Sequence, residues 1–173
     1  RRPVIHQDWK KMLDEIRPDI VCIDGPFELH AEMSVEALKR EIHVFCEKPI
    51  ALTGKDLDLV RDAYSNTKGI HLSSMVGLRY NAAFMTAWKQ VRNGAIGKVK
   101  LITTQKSYCL GKRPDFFRTR STYGGTIPWV GSHSVDWVYW FSGSKFKSVY
   151  ARHDSADNSG FGDMEITAVF MFE

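Results

Sequence analysis

Apolar positions along the first half of the chain alternate between helical and strand-like rhythms. Trp9, Met12, Leu13 and Ile16 fall at helical spacing and Pro18 ends the run, which predicts a helix from Trp9 to Ile16. Asp19 to Ile23 is short, apolar and β-branched, is bounded by Gly25-Pro26, and predicts a buried strand. A second helix is expected from about Leu29 to Arg40, with Val35, Leu38 and Ile42 on its stripe and Glu32, Glu36 and Lys39 turned away. Another buried strand, Ile42 to Cys46, ends at Glu47-Lys48-Pro49. Thr53 with Asp56 three residues on predicts an N-cap for a third helix, whose stripe is Leu57, Val60 and Tyr64. The segment Gly69 to Met75 supplies a third strand. Strands buried on both faces and alternating with helices imply a parallel α/β sheet.

After about Gly77 the rhythm changes. A helix from Asn81 to Arg92 carries Phe84, Trp88 and Val91 on one stripe and stops at Asn93-Gly94. From Lys98 to Tyr108 the chain alternates, with Val99, Leu101, Thr103 and Gln105 on one face and Lys100, Ile102, Thr104 and Lys106 on the other, which predicts a long strand. A loop from Gly111 to Gly125 is too long to be idle. A short aromatic helix from about Gly131 to Phe141 precedes two more strands, Lys147 to His153 and Met164 to Phe172. This half reads as α+β with an open, mostly antiparallel sheet. The expected organisation is therefore the C-terminal part of a Rossmann-like domain over residues 1–76 and an incomplete α+β domain over 77–173.

Composition narrows the class without identifying the protein. Of 173 residues, 43% are hydrophobic and 25% charged, as in ordinary globular chains. No run approaches the roughly 18 apolar residues of a membrane helix, and no signal peptide opens the chain, so a soluble, cytoplasmic protein is the expectation. The chain begins at Arg1 and enters an amphipathic segment almost at once, so it reads as an internal piece of a longer protein. The net charge is +4, but pairs such as Lys10-Lys11, Lys39-Arg40 and Lys112-Arg113 lie among acids, which argues for a solvated surface rather than a nucleic-acid partner. Cys22, Cys46 and Cys109 show no C-x-x-C spacing and are expected to be reduced and mostly buried.

Two constellations can carry chemistry. Gly25 to His30 and Glu47-Lys48-Pro49 follow the ends of successive strands, the edge where open α/β sheets bind ligands. A lysine in such a turn can be a solvated side chain with no task. Fixed between an apolar strand and an X-Pro bond, however, Lys48 can stabilise a developing alkoxide. The second constellation runs from Gly124-Gly125 through Trp129 to His133 and Asp136. The glycines permit close backbone approach to a ligand, and His133 and Asp136 share a helix face at i, i+3, either as a base with its partner or as a satisfied helix-start histidine. A metal site needs a third ligand, and none is spaced for it, so no metal is expected. Arg79, Tyr80 and Arg118 are candidates to bind hydroxyls or a carboxylate, and Trp129 offers a flat face for a sugar.

The ordered set G-P-x-x-x-H, V-F-C-E-K-P, V-G-L-R-Y, G-A-I-G-K-V and G-G-x-x-x-x-x-G-x-H-x-x-D resembles the glucose-fructose oxidoreductase and inositol dehydrogenase (Gfo/Idh/MocA) family across nearly the whole chain. The resemblance implies a Rossmann domain that binds NAD or NADP, followed by a substrate domain whose large open sheet often mediates homo-oligomers. It implies contact of Lys48 with the nicotinamide ribose and the substrate hydroxyl, and His133 as proton acceptor. Gly25, Pro26, His30, Glu47 and Pro49 join Lys48 as the expected cofactor-binding set, and Arg79, Tyr80, Arg118, Trp129 and Asp136 form the expected substrate-binding set. The family's G-x-G-x-x-G is absent from these residues, and Trp129 stands where the family commonly has Asp. The function implied is hydride transfer between a nicotinamide and a sugar, cyclitol or sugar-acid hydroxyl. The alternatives are an NAD-dependent glycoside hydrolase and a non-catalytic dinucleotide-binding sensor or scaffold.

Overall fold

A computed structural model of the chain describes residues 3–107, 111–154 and 167–172. It divides into two compact units, Arg1–Met75 and Val76–Glu173.

In the first unit, α1 (Trp9–Ile16) starts at Asp8, whose carboxylate accepts from the Lys10 and Lys11 amides at 2.9 and 3.1 Å and so satisfies two orphan donors. It is followed by β1 (Ile20–Ile23), α2 (His30–Lys39), β2 (His43–Cys46), α3 (Gly54–Ser65) and β3 (Leu72–Ser74). Thr53 caps α3 as expected, accepting from the Asp56 amide at 3.1 Å. The strands pair in the order β1-β2-β3, all parallel, with Val21 opposite Val44 opposite Leu72 and Cys22 opposite Phe45 opposite Ser73.

That register gives the two sheet faces different fates. Ile23, Val44 and Cys46 join Leu13 of α1 and Ala37 and Leu38 of α2 in one core, with Val21 and Leu72 packed against it. Full burial of each large aliphatic side chain is worth about 1.5–3 kcal/mol. On the opposite face Ile20, Cys22 and Phe45 are exposed. The strands are therefore not buried on both faces, and the expectation of mostly buried thiols holds for Cys46 and fails for Cys22. The pleat is the reason: successive side chains point to opposite faces, and α1 and α2 contribute to the core on one of them. Cys109 lies outside the described residues.

The second unit opens with a 3-10 turn, Gly77–Tyr80, and α4 (Ala82–Arg92), capped by Asn81. The long loop is partly helical, with a 3-10 turn Asp115–Arg118 and a single turn α5 (Arg120–Tyr123). A π-turn, Ile127–Gly131, leads into α6 (Ser132–Ser142), and β4 (Val149–Asp154) pairs antiparallel with β5 (Thr167–Phe172). Trp88 of α4 stacks on Trp140 of α6 at 5.3 Å, and Phe84 stacks on Trp137 at 4.6 Å, so an aromatic seam joins the two helices.

Two expectations for this unit are not met. Residues 98–107 form no strand, although exposure still alternates from Leu101 to Ser107; Tyr108 lies outside the described residues. A strand requires a hydrogen-bonded neighbour, and the strands described here pair elsewhere. The antiparallel sheet amounts, among the described residues, to the β4–β5 pair.

Candidate functional site

Parallel pairing brings the carboxyl ends of β1, β2 and β3 to one edge, where the first candidate cluster stands. The ladder is intact as far as Glu47, whose N–H donates to the Ile23 carbonyl at 2.8 Å, while the Met75 N–H donates to the Cys46 carbonyl at 2.8 Å. Beyond Glu47 the backbone changes partners. The Lys48 N–H donates to Glu47 Oε2 at 2.5 Å, and Pro49 has no N–H to give. The Lys48-Pro49 peptide is cis, Lys48 and Glu47 are half-buried, and Pro49 is buried.

His30, the first residue of α2, closes this edge from beneath. Its side chain has no exposed surface, Nδ1 lies 2.9 Å from the Pro49 carbonyl oxygen, and Nε2 lies 3.1 Å from the Gly25 carbonyl oxygen. A residue so enclosed cannot meet a cofactor, so the cofactor contact expected of His30 is corrected to a contact with the two turns. Gly25 itself has open space where a Cβ would stand, and Pro26 beside it is exposed. The His30 ring links this open turn to the turn that carries Lys48. The Cys46 thiol, donating to the Glu47 carbonyl at 3.2 Å, is pushed up to about 11 by burial; the nearby Ser34 hydroxyl works against that rise, and the Glu47 and Asp24 carboxylates add to it.

The second unit gathers the other candidates differently from expectation. Gly124 and Gly125 have φ of 80° and 113°, conformations that L side chains rarely adopt, and this lets the chain turn from α5 into the π-turn. Trp129 follows, 7% exposed, with its ring 4.5 Å from that of Phe117 and the Arg113 guanidinium 5.1 Å from its centroid. The proposed sugar platform is thus corrected to a core aromatic under a cation. Arg113, expected with Lys112 on a solvated surface, instead lies over the Phe117 and Trp129 rings, and the buried Phe117 and Tyr123 carry no sequence expectation. Their signal was the set of aromatics in an otherwise polar loop.

His133 is half-buried on the first turn of α6. Asp136, one turn further, accepts from Arg79 Nε at 3.1 and 2.9 Å through its two oxygens, and from Arg79 Nη2 as well. The Arg79 guanidinium also lies 5.6 Å from the Trp140 centroid, and its pKa is raised by the hydrogen bonds to Asp136. Arg79 and Asp136 are therefore committed to each other rather than presented to a substrate, because a bidentate charge pair occupies the guanidinium edge. Tyr80 is 84% exposed, and Arg118 is exposed with Nε 3.1 Å from Asp115. Among the described residues, no group of three or more His, Cys, Asp or Glu could hold a metal ion, and no helix is long and apolar enough to cross a membrane.

Comparison with known proteins extends over both units. A model described as an oxidoreductase family with an NAD-binding Rossmann fold matches residues 3–75, and one described as the GFO/IDH/MocA C-terminal domain matches residues 84–173. A solved structure from Thermotoga maritima, described no further than as an oxidoreductase, is 47% identical with a TM-score of 0.96, covering 99% of this chain and 53% of that one. The aldose-aldose oxidoreductase of Caulobacter crescentus, complexed with glycerol, is 28% identical with a TM-score of 0.83, covering 95% of this chain and 49% of its own. Levoglucosan dehydrogenase of Pseudarthrobacter phenanthrenivorans is 33% identical over 92 residues, 53% of this chain and 23% of that protein. The chain thus spans about half the length of these structures, and less of the dehydrogenase.

Proposed function

This chain belongs to the GFO/IDH/MocA oxidoreductase family, and from that membership we propose that the protein transfers a hydride between a nicotinamide dinucleotide and a hydroxyl-bearing carbon of a sugar, cyclitol or sugar acid. Residues 1–76 then contribute to the cofactor domain, and 77–173 to a substrate domain whose completed open sheet joins copies of the chain into a cytoplasmic homo-oligomer. Gly25, Pro26, Glu47 and Lys48 would hold the nicotinamide end of NAD or NADP. The bound cofactor supplies the hydride acceptor or donor. The glycoside hydrolase reading is not carried forward, since the relatives described above are named for redox chemistry.

The observation that carries this reading is the placement of Lys48, between a residue anchored in the β1–β2 ladder and a buried proline whose carbonyl faces His30. A cation on so restrained a backbone stabilises negative charge developing on a substrate oxygen with little reorganisation. His133 takes the hydroxyl proton, a task suited to an imidazole near neutral pH. Arg79 and Asp136 brace α6, which carries it.

The test uses the full-length protein with NAD or NADP and a panel of myo-inositol, levoglucosan and aldoses, read by the absorbance of the reduced nicotinamide. Turnover of at least one polyol is expected. His133→Ala should cost roughly 10²- to 10⁴-fold in kcat, and Lys48→Ala should lower kcat more than it weakens cofactor binding. Absence of turnover with both cofactors and the whole panel defeats the oxidoreductase reading, and full activity in His133→Ala defeats the assignment of the base.

A further inference from the structure

His30 is the one buried histidine of the first unit, and the proton acceptance and charge stabilisation proposed above make no use of it. Both groups it faces are carbonyl oxygens, which only accept. The ring therefore donates to Pro49 as the Nδ1–H tautomer, to Gly25 as the Nε2–H tautomer, and to both as the imidazolium. The two carbonyls belong to different turns, Gly25 just after β1 and Pro49 just after β2, while the ring belongs to the first residue of α2. One side chain on α2 thus joins two turns at the carboxyl edge of the sheet.

The position of Lys48 between those contacts gives them a consequence. On its N-terminal side Glu47 is fixed by the ladder bond to Ile23. On its C-terminal side the ladder cannot continue through a proline, and the Pro49 carbonyl is turned inward to the imidazole at 2.9 Å. We propose that His30 is a positioning residue: its Nδ1–H holds the Pro49 carbonyl and so fixes the Lys48-Pro49 peptide that presents the lysine at the sheet edge. The inference rests on the role given to Lys48 above. A displacement of about 1 Å in a catalytic group can cost on the order of 10²-fold in rate, so a loosened turn should appear in kcat before it appears in cofactor binding.

Two substitutions of similar size separate positioning from simple packing. In His30→Asn the amide nitrogen stands near the place of Nδ1 and keeps a donor for Pro49. In His30→Gln it stands near the place of Nε2 and keeps a donor for Gly25. Each keeps a donor toward one carbonyl and none toward the other, so a role that does not run through the Pro49 carbonyl predicts similar kcat for the two. In the full-length protein, assayed with the best polyol of the panel, His30→Gln is expected to lose about tenfold to 10²-fold in kcat, with KM for the dinucleotide little changed, while His30→Asn stays close to the parent. Amide hydrogen exchange at Lys48, measured without cofactor, should accelerate in His30→Gln alone.

Equal kcat in the two variants, or an exchange rate at Lys48 unmoved in His30→Gln, overturns the proposal. Lys48→Ala, run alongside, separates it from its premise. If Lys48→Ala loses kcat and His30→Gln does not, His30 fails and the lysine's role stands. If Lys48→Ala keeps full kcat, the lysine's role fails and the proposal falls with it. Should His30→Gln not fold, nitrogen NMR of the parent protein decides: a protonated Nδ1 supports the proposal, and a ring protonated at Nε2 alone refutes it.

Discussion

Cys46 shows how far one residue's behaviour depends on which face of the sheet it meets. Cys22 and Cys46 both lie in apolar strands, yet Cys22 is exposed and Cys46 is fully buried. Burial raises the Cys46 thiol from its ordinary 9.0 to about 11, so the unfolded chain loses this proton at a lower pH than the folded one. Its contribution is fully present below about pH 9 and declines as pH rises toward 11, by about 3 kcal/mol in all. Denaturant midpoints across that window should fall in the parent and fall less in Cys46→Ala; equal slopes contradict the effect. Trp129 is decided in the same way by its neighbours. With Phe117 against its ring and Arg113 over it, Trp129→Ala is expected to cost about 3–5 kcal/mol of stability, the range for losing a large core aromatic. A variant of parental stability with only a higher KM for substrate would restore the sugar-platform role.

At the scale of elements, the pair Arg79–Asp136 ties the turn Gly77–Tyr80 to α6, and the Trp88–Trp140 stack ties α6 to α4. Asp136 is mostly buried and Arg79 about a third exposed, so solvent screens part of the attraction. Arg79→Ala leaves a carboxylate largely out of water without its donor, and about 1–2 kcal/mol of destabilisation is expected. A double-mutant cycle with Asp136→Asn measures the coupling, and strictly additive losses would show the pair to be inert. The helices were the most legible elements in the sequence. The periodicity of Trp9 to Ile16, the cap at Thr53 and the helix expected from Asn81 to Arg92 are local, and the structure reproduces them within a residue or two. The run from Lys98 forms no strand because its alternation is equally local, whereas a strand's hydrogen bonds come from elsewhere in the chain.

For the whole molecule, the family's cofactor sets the expected behaviour. A dinucleotide binding the folded protein at a hundred times its dissociation constant should stabilise it by about 2.7 kcal/mol, visible as a rise in melting temperature of the full-length protein with NADH. The 173-residue chain contains no G-x-G-x-x-G phosphate loop, so its own shift should be much smaller. An equal shift would show that the residues present hold the dinucleotide unaided. The sequence by itself determined the parallel α/β order of the first unit, the helix boundaries, the placement of Gly25 and Lys48 at strand ends and the family. All of these rest on local spacing or on ordered motifs. Only the tertiary structure decided that His30 faces inward to two carbonyls, that Arg79 serves Asp136 and that Trp129 is core. Each of those outcomes depends on partners 5 to 57 residues away. A side chain's type states what it can bond to, and the fold alone determines which of those bonds it is close enough to make.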